Sequence, residues 1–316
     1  MTAQLGAKAH GGLDPRARRF LDLLAAALRP DALDLSNLRA ATAALAAFAA
    51  PPPTVERRDE RIGAAPGVPV RHYAPPGRGD TLLPGLIYFH GGGFVSGGLE
   101  SHDAICASLS ARGDCRVIAV DYRLAPEHRF PAALEDAEAA LKAIVEDPRR
   151  FGVDGRRVGV AGDSAGAGLA VVMARIMRSS LALQLLLCPV MTPLARTRSR
   201  VELARGHLIE EATMSRYWEL YRADGLSPDD PRVAPLNGGD FSRLPPAFVH
   251  VAEFDPLRDE GAVYVEALHA AGVEAALTVH AGLVHHFYGL GAMIPGGQAG
   301  LERIGDDLRR AFAAMA

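Results

Sequence analysis

The stretch VGVAGDSAGAGLA, residues 158–170, joins a short apolar run to a glycine-rich turn and then to small, helix-compatible residues. Within it, residues 162–166 form a G-x-S-x-G pattern centred on Ser164. A strand, a sharp turn and a helix in this order are the context of a nucleophile elbow, in which glycines let the backbone turn and the serine project. The helix that follows adds partial positive charge at its N-terminus. The stretch therefore predicts a nucleophilic serine.

Three other structures could account for this glycine-rich turn. A Walker A phosphate loop requires G-x-x-x-x-G-K-[ST], and the turn contains no lysine. A dinucleotide-binding G-x-G-x-x-G fingerprint belongs after the first strand of a βαβ unit, whereas this turn comes late in the chain. A plain helix start capped by Asp163 or Ser164 stays open as the remaining alternative.

Strand-like and helix-like runs alternate along most of the chain. Short β-rich runs lie at 69–74, 84–89, 116–121, 157–161, 182–188, 247–252 and 275–280. Helical patterns lie at 14–29, 33–49, 102–112, 131–146, 165–178, 258–271 and 299–314. Strands that alternate with helices predict βαβ units, and hence an α/β fold with a mostly parallel, buried sheet.

Two segments depart from this alternation. Residues 1–50 are helical and end at a proline-rich break, APPPT at 50–54, which indicates an N-terminal helical arm. Residues 192–238 are too long for a bare loop in a compact domain, and we interpret them as an insertion over one end of the sheet. The predicted catalytic core is therefore formed by residues 51–191 and 239–316.

Length and composition exclude several classes of function. The 316-residue chain is 49% apolar and 22% charged, with mean hydropathy +0.07, a net charge of −3 and a pI of about 6.4. It has no basic surplus that would favour binding of nucleic acid or of an anionic membrane. No apolar run reaches membrane-spanning length, and the N-terminus lacks the apolar core of a secretory signal. We therefore expect a globular protein without nucleic-acid or membrane partners.

The cysteines bear on location and on metal binding. Cys106, Cys115 and Cys188 form no C-x-x-C pair, and we expect all three to be buried as small apolar side chains. Unpaired cysteines suit a reducing compartment, which predicts a cytoplasmic protein. The chain also lacks the H-E-x-x-H motif and any cluster of cysteine and histidine, so we predict neither a metal nor a cofactor.

A serine hydroxyl needs a histidine base that is itself oriented by a carboxylate. When the chain order is serine, acid, histidine, the acid follows a late strand. The run AFVHVA leads into EFDPLRDE, which places Asp255 in a strand-to-helix turn. Glu253 is the second candidate. Asp259 falls inside the next predicted helix, where a role in the helix dipole or in a salt bridge is favoured.

The candidate bases follow the next strand-like run. AALTVH leads into AGLVHHFYG, which offers His280, His285 and His286. His280 closes the predicted strand, whereas the other two lie in the loop, where an imidazole can reach a serine. Position and chain order favour the loop pair over His280.

A second glycine motif supplies candidate hydrogen-bond donors. The stretch IYFHGGGFVSGG, residues 87–98, runs from a buried strand into three consecutive glycines. An HGGG motif after a strand can present backbone amides to the oxyanion of a tetrahedral intermediate. We predict that the donors are the amides of Gly92, Gly93 and Ala165. His90 is expected to orient the loop through hydrogen bonds of its ring.

Together these motifs resemble the bacterial hormone-sensitive-lipase family of esterases. The resemblance rests on residues 90–98, 121–136, 162–170, 255–260 and 285–287 and extends over roughly residues 55–316. It implies an α/β-hydrolase fold with an eight-stranded sheet and a helical cap, built from the arm and from an insertion after the sixth strand. It also implies membership of the GDSAG subgroup through Asp163, and a possible homodimer through the edge strand near 275–280.

The resemblance further implies hydrolysis of small carboxylic esters, usually with short acyl chains, by a triad of Ser164, Asp255 and His285. The family usually has His-Gly-Phe around the base, whereas this chain has His285-His286-Phe287. The first histidine aligns with the family base. A catalytically silent ligand receptor, an amidase or peptidase, and an interfacial lipase are the alternative functions.

Overall fold

The computed structural model of the protein describes residues 12–27 and 32–315. Its strands are β1 (Glu56–Ile62), β2 (Val68–Ala74), β3 (Leu83–Phe89), β4 (Arg116–Val120), β5 (Val153–Asp163), β6 (Leu183–Leu187), β7 (Ala247–Phe254) and β8 (Ala275–Val284). Its α-helices are α1 (Pro15–Ala27), α2 (Leu35–Leu45), α3 (Asp103–Gly113), α4 (Ala132–Glu146), α5 (Ala165–Ile176), α6 (Arg198–Glu202), α7 (Glu211–Tyr221), α8 (Arg258–Ala270) and α9 (Pro295–Ala313). The start of the predicted arm, residues 1–11, and the end of its first predicted helix lie outside the described residues.

The eight strands form one mixed sheet in the order β1-β2-β4-β3-β5-β6-β7-β8. β1 pairs antiparallel with β2, and β2 pairs antiparallel with β4. All other neighbours are parallel. The predicted α/β fold with a mostly parallel eight-stranded sheet is therefore confirmed, and it is the α/β-hydrolase fold.

Helices cover both faces of the sheet and bury its apolar side chains. On one face, α4, α5 and α8 contribute to a core cluster that includes Leu141, Val171 and Leu268. On the other face, α1, α3 and α9 form a second cluster that includes Phe20 and Ile304. Because both faces of the sheet are covered, every residue of β3 and β6 is buried, rather than every second one.

Two strands differ from the sequence expectation. The run ERRDERI was not predicted as a strand, yet β1 forms there as an edge strand with mostly exposed side chains. The last strand was expected to end at His280, but β8 continues to Val284 through a register irregularity beside Ala252. His280 therefore lies within the strand, where its ring packs on Phe287 with centroids 4.3 Å apart.

A buried ion pair anchors the segment that follows β6. Glu260 accepts hydrogen bonds from the backbone amides of Met191 at 2.8 Å and Thr192 at 2.9 Å, and from Arg200 Nε at 2.8 Å. Arg200 also donates to the Thr192 carbonyl at 2.9 Å. Both side chains of the pair are almost completely buried, and burial raises the pKa of Glu260 despite the neighbouring guanidinium. The pair ties α6 to α8 immediately after the turn that carries Asp255.

The second helix of the arm packs on the loop that follows β3. Arg39 donates to the carbonyls of Val95 at 2.9 Å and Ala125 at 3.1 Å, and it also binds Glu127. Thr42 Oγ1 lies 2.8 Å from Ser96 Oγ. These contacts tie the second helix of the arm to the loop. Across the described ranges, no helix has the length and apolar character needed to cross a membrane.

Candidate active site

The candidate residues gather at the carboxyl ends of neighbouring strands. The glycine loop follows β3, Ser164 follows β5, Asp255 follows β7, and His285 follows β8. Parallel strands present these ends at one edge of the sheet, which is where α/β folds place their ligand sites. Topology alone therefore brings together segments that are far apart in sequence.

Ser164 lies at a strained turn between β5 and α5. Its backbone has φ +53° and ψ −120°, which is unusual for a residue with a side chain. Hydrogen bonds hold this conformation, because the Ser164 amide donates to the Leu187 carbonyl at 2.8 Å and its own carbonyl accepts from the Val190 amide at 3.1 Å. Its side chain makes no capping hydrogen bond to α5. The alternative of a plain helix start capped by Ser164 is therefore wrong.

Asp255 and His285 form a buried pair. Asp255 Oδ2 lies 2.8 Å from His285 Nδ1, and Asp255 Oδ1 accepts from the Leu257 amide at 2.8 Å. Because Nδ1 faces a carboxylate, we assign the proton of the neutral imidazole to Nδ1, which leaves Nε2 as its free acceptor. Burial alone would lower the pKa of His285, but Asp255 outweighs burial and raises it above its ordinary value.

The other candidate acids and histidines occupy different places. Glu253 Oε2 accepts from the Gly282 amide at 2.8 Å, and Asp259 accepts from the Ser199 amide at 2.8 Å. His280 faces His250, with ring nitrogens 3.2 Å apart. These three side chains hold neighbouring elements together, and the contact with His285 is made by Asp255.

The glycine loop, residues 90–98, has a backbone that side chains would block. Gly92 and Gly93 have φ values of +114° and +64°. A Cβ on Gly92 would lie 2.2 Å from the Ser96 carbonyl oxygen, and one on Gly93 would lie 2.3 Å from the Tyr217 ring. Glycine is therefore required here both for conformation and for space.

His90 has the structural setting that was expected of it. Its ring stacks on Tyr122 with centroids 4.2 Å apart, and its Nδ1 donates to the Gly91 carbonyl at 2.8 Å. Tyr122 Oη in turn donates to the His90 carbonyl at 2.6 Å. Burial lowers the pKa of His90 to about 4, with a further contribution from His102. A neutral, fixed imidazole thus supports the start of the glycine loop.

Asp163 joins the elbow to the glycine loop. Its carboxylate accepts from Tyr88 Oη at 2.7 Å, the Gly91 amide at 2.8 Å and Tyr288 Oη at 3.2 Å. His102 Nε2 lies 3.3 Å from Asp163 Oδ2. Burial would raise the pKa of Asp163, but His102 and the other donors lower it well below its ordinary value. The carboxylate is therefore ionised, and its partners come from β3, from the glycine loop and from the segments before α3 and after β8, rather than from α5.

Several of these partners were not identified from the sequence. His102, Tyr88 and Tyr288 are isolated polar residues in apolar or loop segments, and no spacing rule links them to Asp163. Cys188, buried as expected, lies beside the Asp255–His285 pair, and burial together with Asp255 raises the pKa of its thiol well above the ordinary value. The only sequence signal was indirect, namely an aspartate next to the candidate nucleophile.

Two groups in the described chain have the residue types and spacing of metal ligands. One comprises His102, Asp163 and His286, and the other comprises Cys188, Asp255 and His285. In both groups the carboxylate oxygens already accept hydrogen bonds from protein donors. We therefore interpret them as hydrogen-bond networks that orient the site.

An apolar cavity of about 60 Å³ adjoins Ser164. It is lined by Gly93, Phe94, Ser164, Ala165, Val190, Pro193, Arg200, Ile209, Met214, Tyr217, Trp218, Tyr221 and Val233. Residues of the 192–238 segment thus form much of its wall, and two of the three proposed amide donors border it. The cavity can hold a small apolar group directly at the serine.

Comparisons with known proteins bear on the fold and the family of the chain. The family model for the alpha/beta hydrolase fold matches residues 86–289. The chain is 38% identical over 250 residues to the ethyl acetate hydrolase of Pseudomonas putida, covering 77% of this chain and 78% of that protein. It is 36% identical over 268 residues to the carboxylesterase NlhH of Mycobacterium tuberculosis, covering 82% and 83% respectively.

A solved structure extends the similarity to nearly the whole chain. This is an ester-hydrolase from the metagenome of Lake Arreo, determined in complex with a derivative of bipyridine phosphonate. The two chains superpose with a TM-score of 0.89 at 38% identity, covering 96% of this chain and 98% of the other.

The Asp255–His285 contact leads to a prediction about proton binding. In the wild type, His285 should titrate above its ordinary value of 6.5, because Asp255 stabilises the imidazolium. In Asp255→Asn this stabilisation is lost and burial dominates, so His285 should titrate below 6.5. NMR of labelled histidine, with His285→Gln to assign the signal, measures both values. Asp259→Asn is the control and should leave the titration unchanged. An unchanged pKa in Asp255→Asn would contradict the pairing.

Proposed function

Because the chain belongs to the hormone-sensitive-lipase family of α/β-hydrolases and is a carboxylic ester hydrolase, we propose that it cleaves short-to-medium acyl esters through Ser164, His285 and Asp255. The observation that carries the proposal is the buried 2.8 Å contact between Asp255 and His285. It occurs at the sheet edge that also holds a strained serine beside an apolar cavity.

The first half of the proposed reaction acylates Ser164. His285 Nε2 takes the hydroxyl proton while Ser164 Oγ attacks the ester carbonyl carbon. The tetrahedral intermediate then collapses, the bond to the alcohol oxygen breaks, and His285 returns the proton to the departing alcohol. Asp255 fixes the imidazole tautomer and stabilises the imidazolium throughout this step.

Backbone amides stabilise the negative charge that develops on the carbonyl oxygen. We assign them to Gly92, Gly93 and Ala165, with Asp163 and His90 in supporting roles. Gly93 and Ala165 border the same cavity as Ser164, and the Asp163–Gly91 hydrogen bond holds the glycine loop beside the elbow. Removing one donor of this kind typically costs about 10²–10³ in rate.

The second half of the reaction releases the acid. Water gives a proton to His285 and attacks the acyl carbon, and the bond to Ser164 Oγ breaks as the serine recovers its proton. No external oxidant, reductant or cofactor is required for this cycle, because bond formation and proton transfer balance within it.

The cavity favours short acyl chains. Its volume of about 60 Å³ has room for about four to six water molecules, at ~10–15 Å³ of cavity volume each. Tyr217 and Trp218 contribute to its wall and also pack against the core, so an interfacial lid is the less favoured interpretation. A silent receptor would not require a buried acid–histidine pair, and an amidase would cleave anilides as readily as esters.

Several finer assignments belong to this proposal. We place the chain in the GDSAG subgroup, with a cap formed by residues 192–238 and part of the 1–50 arm over a core of 51–191 and 239–316. β8 is an edge strand whose Leu277 and Val279 are 37% and 47% exposed, which supports a homodimer through that edge. The free, buried cysteines fit a cytoplasmic location.

Replacement of the nucleophile tests the proposed mechanism. Ser164→Ala should lower kcat on p-nitrophenyl acetate by at least about 10³-fold, because the acyl-enzyme cannot form. The control is Ser108→Ala, since Ser108 bonds the Ala104 carbonyl within α3, far along the chain from the elbow. Circular dichroism verifies that both variants fold. Full activity in Ser164→Ala would overturn the mechanism, and equal turnover of p-nitroacetanilide would favour the amidase.

Acyl-chain preference tests the role of the cavity. In a series from p-nitrophenyl acetate to palmitate, kcat/KM should peak at a short chain and fall for palmitate. Met214→Ala enlarges the cavity, so a chain two methylenes longer should gain about 1.6 kcal/mol, or about 15-fold in relative kcat/KM. Leu220→Ala is the matched control, because Leu220 packs in the core from the same helix. Activity that rises steadily with chain length would favour the interfacial lipase.

A further inference from the structure

His286 occupies an unusual position directly after the proposed base. Its backbone is left-handed, with φ +58°, a conformation that costs a residue with a side chain some free energy. The family pattern described above has glycine here. The side chain is nevertheless buried rather than turned to solvent. The strained backbone of His286 therefore goes together with an imidazole that packs against other side chains.

Those neighbours are polar and belong to the site. His286 Nδ1 lies 3.9 Å from Asp163 Oδ2, and the ring meets His102 edge-on with centroids 5.9 Å apart. The ring also meets the Tyr288 ring edge-on, with centroids 5.0 Å apart. Gly289 leaves room for the His286 ring, because a Cβ at residue 289 would lie 2.3 Å from His286 Nε2. The chain is thus shaped to admit this ring next to Asp163.

The surroundings fix the charge state of the ring. Burial lowers the pKa of His286 to about 3, and the opposing effect of Asp163 is smaller. A neutral imidazole acts on the ionised Asp163 through its dipole and its bulk rather than through a full positive charge. The 3.9 Å separation exceeds a hydrogen bond, although contacts in unliganded active sites often shorten when substrate binds.

Asp163 is the point at which three segments meet. It precedes Ser164 in the chain, it accepts from the Gly91 amide of the glycine loop, and it accepts from Tyr288 of the loop that carries His285. His286 Nδ1 approaches the same oxygen of Asp163, Oδ2, that accepts from Tyr288. A movement of the His286 ring would therefore change the position of the Asp163 carboxylate, which binds the Gly91 amide of the glycine loop.

We infer that His286 is a positioning residue, which packs against Asp163 and thereby couples the loop carrying His285 to the loop presenting the Gly92 and Gly93 amides. The inference rests on the proposed function, since it assigns a purpose to that coupling. His286 itself does not touch the reacting atoms in this scheme. Its contribution is to keep the amide donors and the base at the correct positions relative to each other.

Two variants and a control test this inference. His286→Gly preserves the left-handed backbone and removes the ring, so kcat on p-nitrophenyl acetate should fall by about 10- to 100-fold with KM little changed, as expected for misplaced donors. His286→Asn should restore most of the activity, because asparagine tolerates φ > 0 and its amide can donate to Asp163. His280→Gln, which changes a buried histidine within β8, should retain wild-type kcat.

A second readout does not depend on turnover. Hydrogen exchange followed by mass spectrometry should show faster exchange across residues 90–98 in His286→Gly, and not in His280→Gln. Unchanged exchange there, or equal kcat losses in His286→Gly and His280→Gln, would overturn the inference. The proposed function is separately contradicted by an active Ser164→Ala enzyme. The two failures are therefore distinguishable.

Discussion

The first turn of α5 passes the end of β3 so closely that no side chain fits between them. A Cβ on Gly166 would lie 2.1 Å from the Phe89 carbonyl oxygen and 2.4 Å from that of His90. A Cβ on Gly162 would likewise lie 2.4 Å from the Gly166 backbone. This backbone contact sets the serine turn beside the glycine loop. The two glycine motifs, which are far apart in sequence, thus meet at this backbone contact.

Two buried carboxylates then organise the site in different ways. Asp255 uses one oxygen for the Leu257 amide and the other for His285, so it orients the imidazole that we propose as the base. Asp163 is surrounded by hydroxyl, amide and imidazole donors, so it joins loops rather than acting on a proton. Burial of a charge is costly unless such partners compensate for it. The complete set of donors around each carboxylate is therefore as important as the carboxylate itself.

Features with a local physical signature could be predicted from the sequence. Alternating strands and helices indicated the sheet, and glycine-rich turns at strand ends indicated the elbow and the loop. The strand of residues 56–62 could not be predicted, because an exposed edge strand has no apolar face to reveal it. The ring of donors around Asp163 was also hidden, since His102 and Tyr288 meet it only through tertiary folding. His286 was visible as a departure from the family pattern, but its contact with Asp163 required coordinates.

Covalent labelling tests the central claim, that Ser164 is the nucleophile of this site. The enzyme is incubated with a p-nitrophenyl alkylphosphonate, digested, and examined by tandem mass spectrometry. We predict a single phosphonyl group on the peptide that carries Ser164, with loss of turnover in proportion to labelling. A label on any other residue, or continued turnover by the fully labelled protein, would contradict it.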